Sequence, residues 1–246
     1  MANTLPIGIC FFTSTKGHFG SKDLYAKTLD HLDDQIPLES FGALYAHIKV
    51  TPGEEDIGLV IEKDLISRGF TVEKTVAPWV RGMVHQQEYL KDIIKSSQSK
   101  LLHSQPYTLM LEDDSLFRCS KDALIKVLSR TTAFFNEMDI ASVRFLRASD
   151  LSTSPILANE LDYFYSPHVN FNLLFFRSRD FYLAGCLIEK SWSSLAHIQC
   201  EMVMRMVLNE LSRNEMRHIV WHPSYAETIH IGVENHQEVL KNLIKG

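Results

Sequence analysis

Short apolar runs alternate with stretches of helical spacing from Ile7 to Leu146, and that alternation is the tightest constraint on what this chain can become. Ile7 to Phe12, Ala46 to Val50, Phe70 to Val76, Leu109 to Leu111 and Ile140 to Leu146 read as strands. Between them Leu24, Thr28, Leu29 and Leu32 recur at helical intervals, then Ile57, Val60, Ile61 and Leu65, then Leu90, Ile93, Ile94, Ser97 and Leu101. Arg68-Gly69 carries a helix-ending glycine, and Ser120 can cap a helix with an inner face of Leu124, Val127, Leu128, Thr131 and Phe135. Strands separated by helices of this length pair in parallel, because a parallel connection needs a crossover of about a dozen residues or more. The expectation is an α/β chain with a doubly wound, mostly parallel sheet.

The pattern changes after Ser149. Asp, Ser, Thr, Pro and Asn cluster through Asn159, which reads as a loop that could serve as a lid. Tyr163 to Tyr165 and Phe171 to Phe176 then suggest strands, and the short link between them predicts an antiparallel extension. Length favours one domain over 1–246.

Composition excludes several classes. A hydrophobic fraction of 45% and a charged fraction of 22% are those of an ordinary globular chain, not of a disordered one. A formal charge of -5 argues against a protein that coats nucleic acid. Cys10, Cys119, Cys186 and Cys200 are too widely spaced for a zinc knuckle or a CxxC redox pair, so reduced thiols are expected. The start lacks a secretory pattern and no apolar stretch reaches the ~20 residues of a membrane span, which predicts a soluble, cytoplasmic protein in a bacterium or a phage-infected host.

The chemistry concentrates at Leu109-Met110-Leu111-Glu112-Asp113-Asp114-Ser115, where an apolar run ends in three adjacent carboxylates. Ligands bind beyond the carboxyl ends of the strands in open α/β sheets. Three neighbouring anions repel, and a hard divalent cation with oxygen ligands relieves that repulsion while offering a place for phosphates. Asp and Ser are also ordinary turn residues, so an acidic turn without a ligand stands as the other reading. At the first strand, Phe11 and Phe12 lead into Thr13-Ser14-Thr15-Lys16-Gly17-His18-Phe19-Gly20, small and polar residues whose backbone donors can approach a ligand. Neither GxxxxGK[ST] nor GxGxxG is present.

With these pieces in this order the chain resembles the glycosyltransferases of the GT-A fold, which use nucleotide-sugar donors and a DxD-type metal motif. The resemblance rests on Phe11 to Gly20, on Glu112-Asp113-Asp114, on Glu201 heading a late helix and on His230 near the C terminus. It implies that Asp114 binds a divalent Mn or Mg ion directly, with Glu112 and Asp113 acting through water, ribose or the donor sugar, and with His230 completing the metal shell. It implies a nucleotide-binding half over 1–118 and an acceptor half over 119–246, and a nucleotide-sugar donor, UDP-linked on this reading, contacted by Thr13, Ser14, Lys16, Asp113 and His85. Arg81, Trp79 and Trp192 are further contacts if they face the cleft, and His222 is the second choice as a metal ligand.

An inverting transfer needs a base to take the acceptor proton, and Glu201 is the candidate. Val203, Met206, Val207 and Leu211 form the expected inner face of its helix, with Arg205 one turn on from Glu201. A surface Glu201–Arg205 pair and a hydrogen-bonded core histidine at 230 are the bland alternatives. The acceptor is a hydroxyl of unknown type, a saccharide or a hydroxymethylated base in DNA. A DNA acceptor requires Lys16, Lys22, Arg81, Arg144, Arg147, Arg177 and Arg179 to gather beside the cleft. A sugar-1-phosphate nucleotidyltransferase and a non-catalytic sugar- or nucleotide-binding domain remain as alternatives to a transferase of EC 2.4 type.

Overall fold

The computed structural model of the chain describes residues 4–15, 22–78, 83–138, 140–145, 158–159, 163–166, 173–212, 218–221 and 228–230. The first half alternates as the spacing predicts: β1 (Leu5–Ser14), α1 (Lys22–Asp34), β2 (Phe41–Val50), α2 (Glu55–Ser67), β3 (Thr71–Val76), α3 (Met83–Ser97), α4 (Lys100–His103) and β4 (Tyr107–Glu112). A short β5 (Ser115–Phe117) follows the acids, then α5 (Lys121–Glu137) and β6 (Ser142–Phe145). The second half adds β7 (Ala158–Asn159), β8 (Tyr163–Ser166), β9 (Leu174–Arg177), α6 (Ser178–Lys190), α7 (Trp192–Leu195), α8 (Cys200–Ser212), β10 (His218–Trp221) and β11 (Thr228–His230).

The main sheet runs β3-β2-β1-β4-β9-β6-β10-β8-β7. β3, β2, β1 and β4 are mutually parallel, and β6 and β10 are parallel to each other. β9 lies antiparallel between β4 and β6, and β8 lies antiparallel beside β10. The expected pairing of the two aromatic runs with each other does not occur. β8 and β9 each join a different part of the sheet, because the edge of β4 offers β9 a fully apolar partner in Leu109 and Met110.

Side chains alternate across the sheet and build two cores. Ile7, Ile9, Phe11, Leu109, Leu111 and Phe175 pack beneath α1, α2 and α5. Cys10, Phe12, Tyr45, Met110, Leu174 and Phe176 pack beneath α3, α4, α6 and α8. Ser120 caps α5, with its Oγ accepting the Ala123 amide at 3.3 Å, and the five residues predicted for the inner face are all buried. Gly69 ends α2 with φ +88°, the left-handed conformation its lack of a side chain permits.

One helix face differs from expectation, that of α8, and α2 buries a narrower stripe than its apolar residues offer. On α2 the inner residues are Gly58, Ile61 and Leu65, while Ile57 and Val60 are 48% and 57% exposed. The helix lies close to β2, since a Cβ on Gly58 would sit 2.9 Å from Val50, and only a narrow stripe is covered. On α8 the stripe is Val203, Met204, Val207 and Leu208, which turns Met206 outward. All four cysteines are free thiols. Among the described residues no helix is long and apolar enough to cross a membrane.

Candidate active site

The chain passes from β1 to α1 on one face of the sheet, whereas the connection from β3 to β4 passes through α3 on the other. The crevice between the ends of β1 and β4 is therefore the switch point where α/β sheets bind ligands. The acids lie at this crevice.

They point in different directions. Glu112 falls on the α3 side, in register with Phe12, and its Oε1 accepts the Tyr89 hydroxyl at 2.5 Å. Burial, then the Glu112 charge, pushes the Tyr89 phenol well above its ordinary pKa, so it serves as a donor. Asp113 turns to the α1 side. Its amide donates to Phe12 O at 3.1 Å, its Oδ2 accepts Thr13 Oγ1 at 2.8 Å, and its carbonyl accepts the Thr28 hydroxyl. Thr13 and Asp113, both expected on the nucleotide, are bonded to each other. Ser14 ends β1 half-buried opposite Lys49, while Lys16 lies outside the described residues.

Asp114 has no solvent exposure, and Ser115 Oγ donates to its Oδ1 at 3.2 Å. β5 pairs antiparallel with β11 and sets His230 directly opposite Ser115, so their Cα atoms are about 5 Å apart. The ladder is anchored from below by His31, whose Nε2 accepts the Phe117 amide at 3.2 Å. Burial lowers the His31 pKa to about 4, which keeps the ring neutral and able to accept. For His230 and for His85, in the first turn of α3, the structure places the backbone. Among the described residues no three His, Cys, Asp or Glu side chains form a ready metal cluster.

Glu201 is the second residue of α8, as predicted, and is half-buried. Among the described residues it makes no ion pair with Arg205; its carboxylate instead lies 3.8 Å from Cys200 Sγ. The Cys200 thiol is pushed up by burial, then by the Glu201 and Glu112 charges. Gln86 Oε1 accepts the Cys200 amide at 3.2 Å, and Gln87 donates to the Ala196 carbonyl.

One charged cluster escaped the sequence reading. Lys49 Nζ and Asp92 Oδ2 are 2.6 Å apart, and His47 Nε2 is 3.2 Å from Asp92 Oδ1, all nearly excluded from water. Burial opposes the Asp92 charge, but the bond from His47 and the Lys49 ammonium hold its carboxyl below the usual value. The sequence signal was a charged residue at 92, between the inward positions 90 and 93 of an amphipathic helix.

Several expectations lie outside the described residues: Trp79, Arg81, Arg147, His222 and most of the 149–159 loop. Of the basic residues a DNA face requires, two among the described residues are held elsewhere. Arg144 is buried in the sheet, and Arg177 sits opposite Tyr107 at the far end of β4, about 17 Å from Glu112 along the strand. Its guanidinium lies over Phe135 and donates to the Ile140 and Phe135 carbonyls. An open cavity of about 530 Å³ between α1 and β5, bordered by Lys27, Asp34 and Arg118, contains none of the predicted site residues.

No family model and no curated protein matches the chain. Solved structures do. GalNAc-T7 with UDP, GalNAc and Mn2+ superposes with a TM-score of 0.55 at 6% identity, covering 93% of this chain and 44% of that one. The mannosyltransferase PcManGT from Pyrobaculum calidifontis, in complex with GDP-Man and Mn2+, gives 0.50 at 8% identity, covering 88% and 56%. The chain thus spans about half the length of these two structures. A 4-diphosphocytidyl-2C-methyl-D-erythritolsynthase from Anaerococcus prevotii gives a TM-score of 0.47 at 14% identity, covering 89% and 90%. The chain has a GT-A-type α/β fold.

Proposed function

We propose that the protein is a metal-dependent, inverting glycosyltransferase that moves a sugar from a nucleotide-sugar donor to a hydroxyl acceptor. The observation that carries this reading is the β5–β11 ladder, which sets His230 across from the residue that follows buried Asp114. A carboxylate with an imidazole is a donor set suited to Mn, and Mg accepts the carboxylate with donor oxygens and water. Asp114 and His230 would hold the ion, which when bound neutralises charge developing on the diphosphate leaving group. The two solved structures sharing the fold are described with Mn2+ and with GDP-Man or UDP, which supports the same donor class here.

The chain's own groups divide the remaining work. Ser14 and Lys16 meet the nucleotide, and Glu112, oriented by Tyr89, meets ribose or donor sugar. Asp113 braces the turn through Thr13 and so fixes the neighbouring Asp114. Glu201 accepts the proton of the attacking hydroxyl as that oxygen bonds the anomeric carbon, a role its lack of a bond to Arg205 leaves open.

The test is incubation with UDP-, GDP- and CMP-linked sugars and Mn or Mg, reading nucleotide release. Slow release to water from one donor is expected; no binding of any donor in the presence of metal overturns the reading. A duplex DNA acceptor would make activity fall steeply with salt, whereas a small saccharide acceptor gives weak salt dependence.

A further inference from the structure

One helix face holds the Glu112 carboxylate and the start of the helix that carries Glu201. Gln86 and Tyr89 are three residues apart on α3, which places them side by side. Tyr89 donates to Glu112 on β4, and Gln86 accepts the amide of Cys200, the first residue of α8, immediately before Glu201. Gln87 ties the preceding turn through the Ala196 carbonyl.

The bond to Cys200 answers a need of α8 itself. The first amides of a helix have no partner within it, and short polar side chains usually cap them. The residue ahead of α8 is Gln199, which is not of that type, and the cap comes from another helix instead. The register of α3 is itself fixed, because Asp92, three residues beyond Tyr89, takes Lys49 from β2.

We infer that Gln86 is a positioning residue. By capping α8 from outside it sets Glu201 relative to the Glu112 that Tyr89 holds, so that α3 fixes the spacing between the donor and acceptor sides. This inference rests on the reading of Glu201 as the base.

Hydrogen exchange of the substrate-free protein tests the cap. Gln86→Leu keeps the bulk but loses the acceptor, and should speed exchange of the Cys200 amide about tenfold. Unchanged exchange overturns the cap. Kinetics test the positioning. With the nucleotide-sugar that the unmodified protein hydrolyses fastest, Gln86→Leu should lower kcat about ten- to a hundredfold, while UDP affinity in Mn stays within about twofold. Gln86→Glu retains an acceptor oxygen and should recover most of the turnover. Equal losses in UDP affinity and kcat, or no recovery with Glu, overturn the inference. If Gln86→Leu loosens α8 but Glu201→Gln turns over normally, the base assignment fails and the catalytic consequence with it, while the cap is established by exchange alone.

Discussion

Thr13 Oγ1 donates to Asp113 Oδ2 at 2.8 Å although one hundred residues of chain separate them. The bond ties the end of the first strand to the acidic turn after the fourth, at the point where the chain changes sides of the sheet. Because the bond is buried, Thr13→Val leaves the carboxylate short of a donor without altering shape. A loss of about 2 kcal/mol in urea unfolding is expected, together with weaker Mn-dependent nucleotide binding. A change in stability alone would show that the bond braces the fold without setting the turn.

Asp114→Asn should abolish binding of Mn and of UDP together, as read by calorimetry. The substitution keeps size and some hydrogen bonding, so the fold should persist. Binding of Mn at unmodified strength would remove Asp114 from the metal.

Glu201→Gln should leave UDP binding intact and lower turnover by about two to four orders of magnitude, the usual worth of a general base. Retained turnover points to another base or to a retaining mechanism.

Acid should destabilise the protein before its carboxylates titrate. Burial lowers the pKa of His31 to about 4, and burial followed by the Arg144 and Arg205 charges does the same for His218, against an ordinary 6.5. Between those values the unfolded chain binds protons that the folded one refuses. Stability is therefore complete above about pH 6.5 and falls as pH drops toward 4, by about 3 kcal/mol per histidine. His31→Gln, which can still accept the Phe117 amide, should remove one proton's share of that slope in denaturant titrations from pH 7 to 4. An unchanged slope would place His31 in water.

Lys49→Met leaves Asp92 buried without its ammonium and should cost about 3 kcal/mol or more, whereas adding Asp92→Leu should recover part of it. Thermal unfolding of the three variants measures the difference. A double variant less stable than Lys49→Met would refute the pairing argument.

What was legible in the sequence was local. The β1, β3 and β4 strands, the cap at Ser120, the glycine at 69 and the placement of Glu201 in the first turn of α8 all follow from periodicity and end signals within a few residues. The one misread face has a local cause too. Apolar residues mark a helix without saying how wide a stripe the sheet will cover, so Met206, expected on the inner face of α8, lies outward, just as Ile57 and Val60 of α2 are exposed. What pairs across the chain was not legible. Tyr89 with Glu112, Gln86 with Cys200 and Lys49 with Asp92 are 23 residues or more apart, and no periodicity announces them. The resemblance correctly anticipated the fold, and the strand order alone revealed that β9 enters the middle of the sheet.

That insertion gives the molecule an order of assembly. A nascent chain ending after the acidic turn would own every carboxylate of Glu112 to Asp114, yet the outer edge of β4 would present bare amides and carbonyls beside Leu109 and Met110. Those groups wait for residues 174 to 177, which then stitch β4 to β6 in one stroke. Fragments cut at 118 should therefore clump when expressed alone and become manageable only when the remainder is supplied beside them.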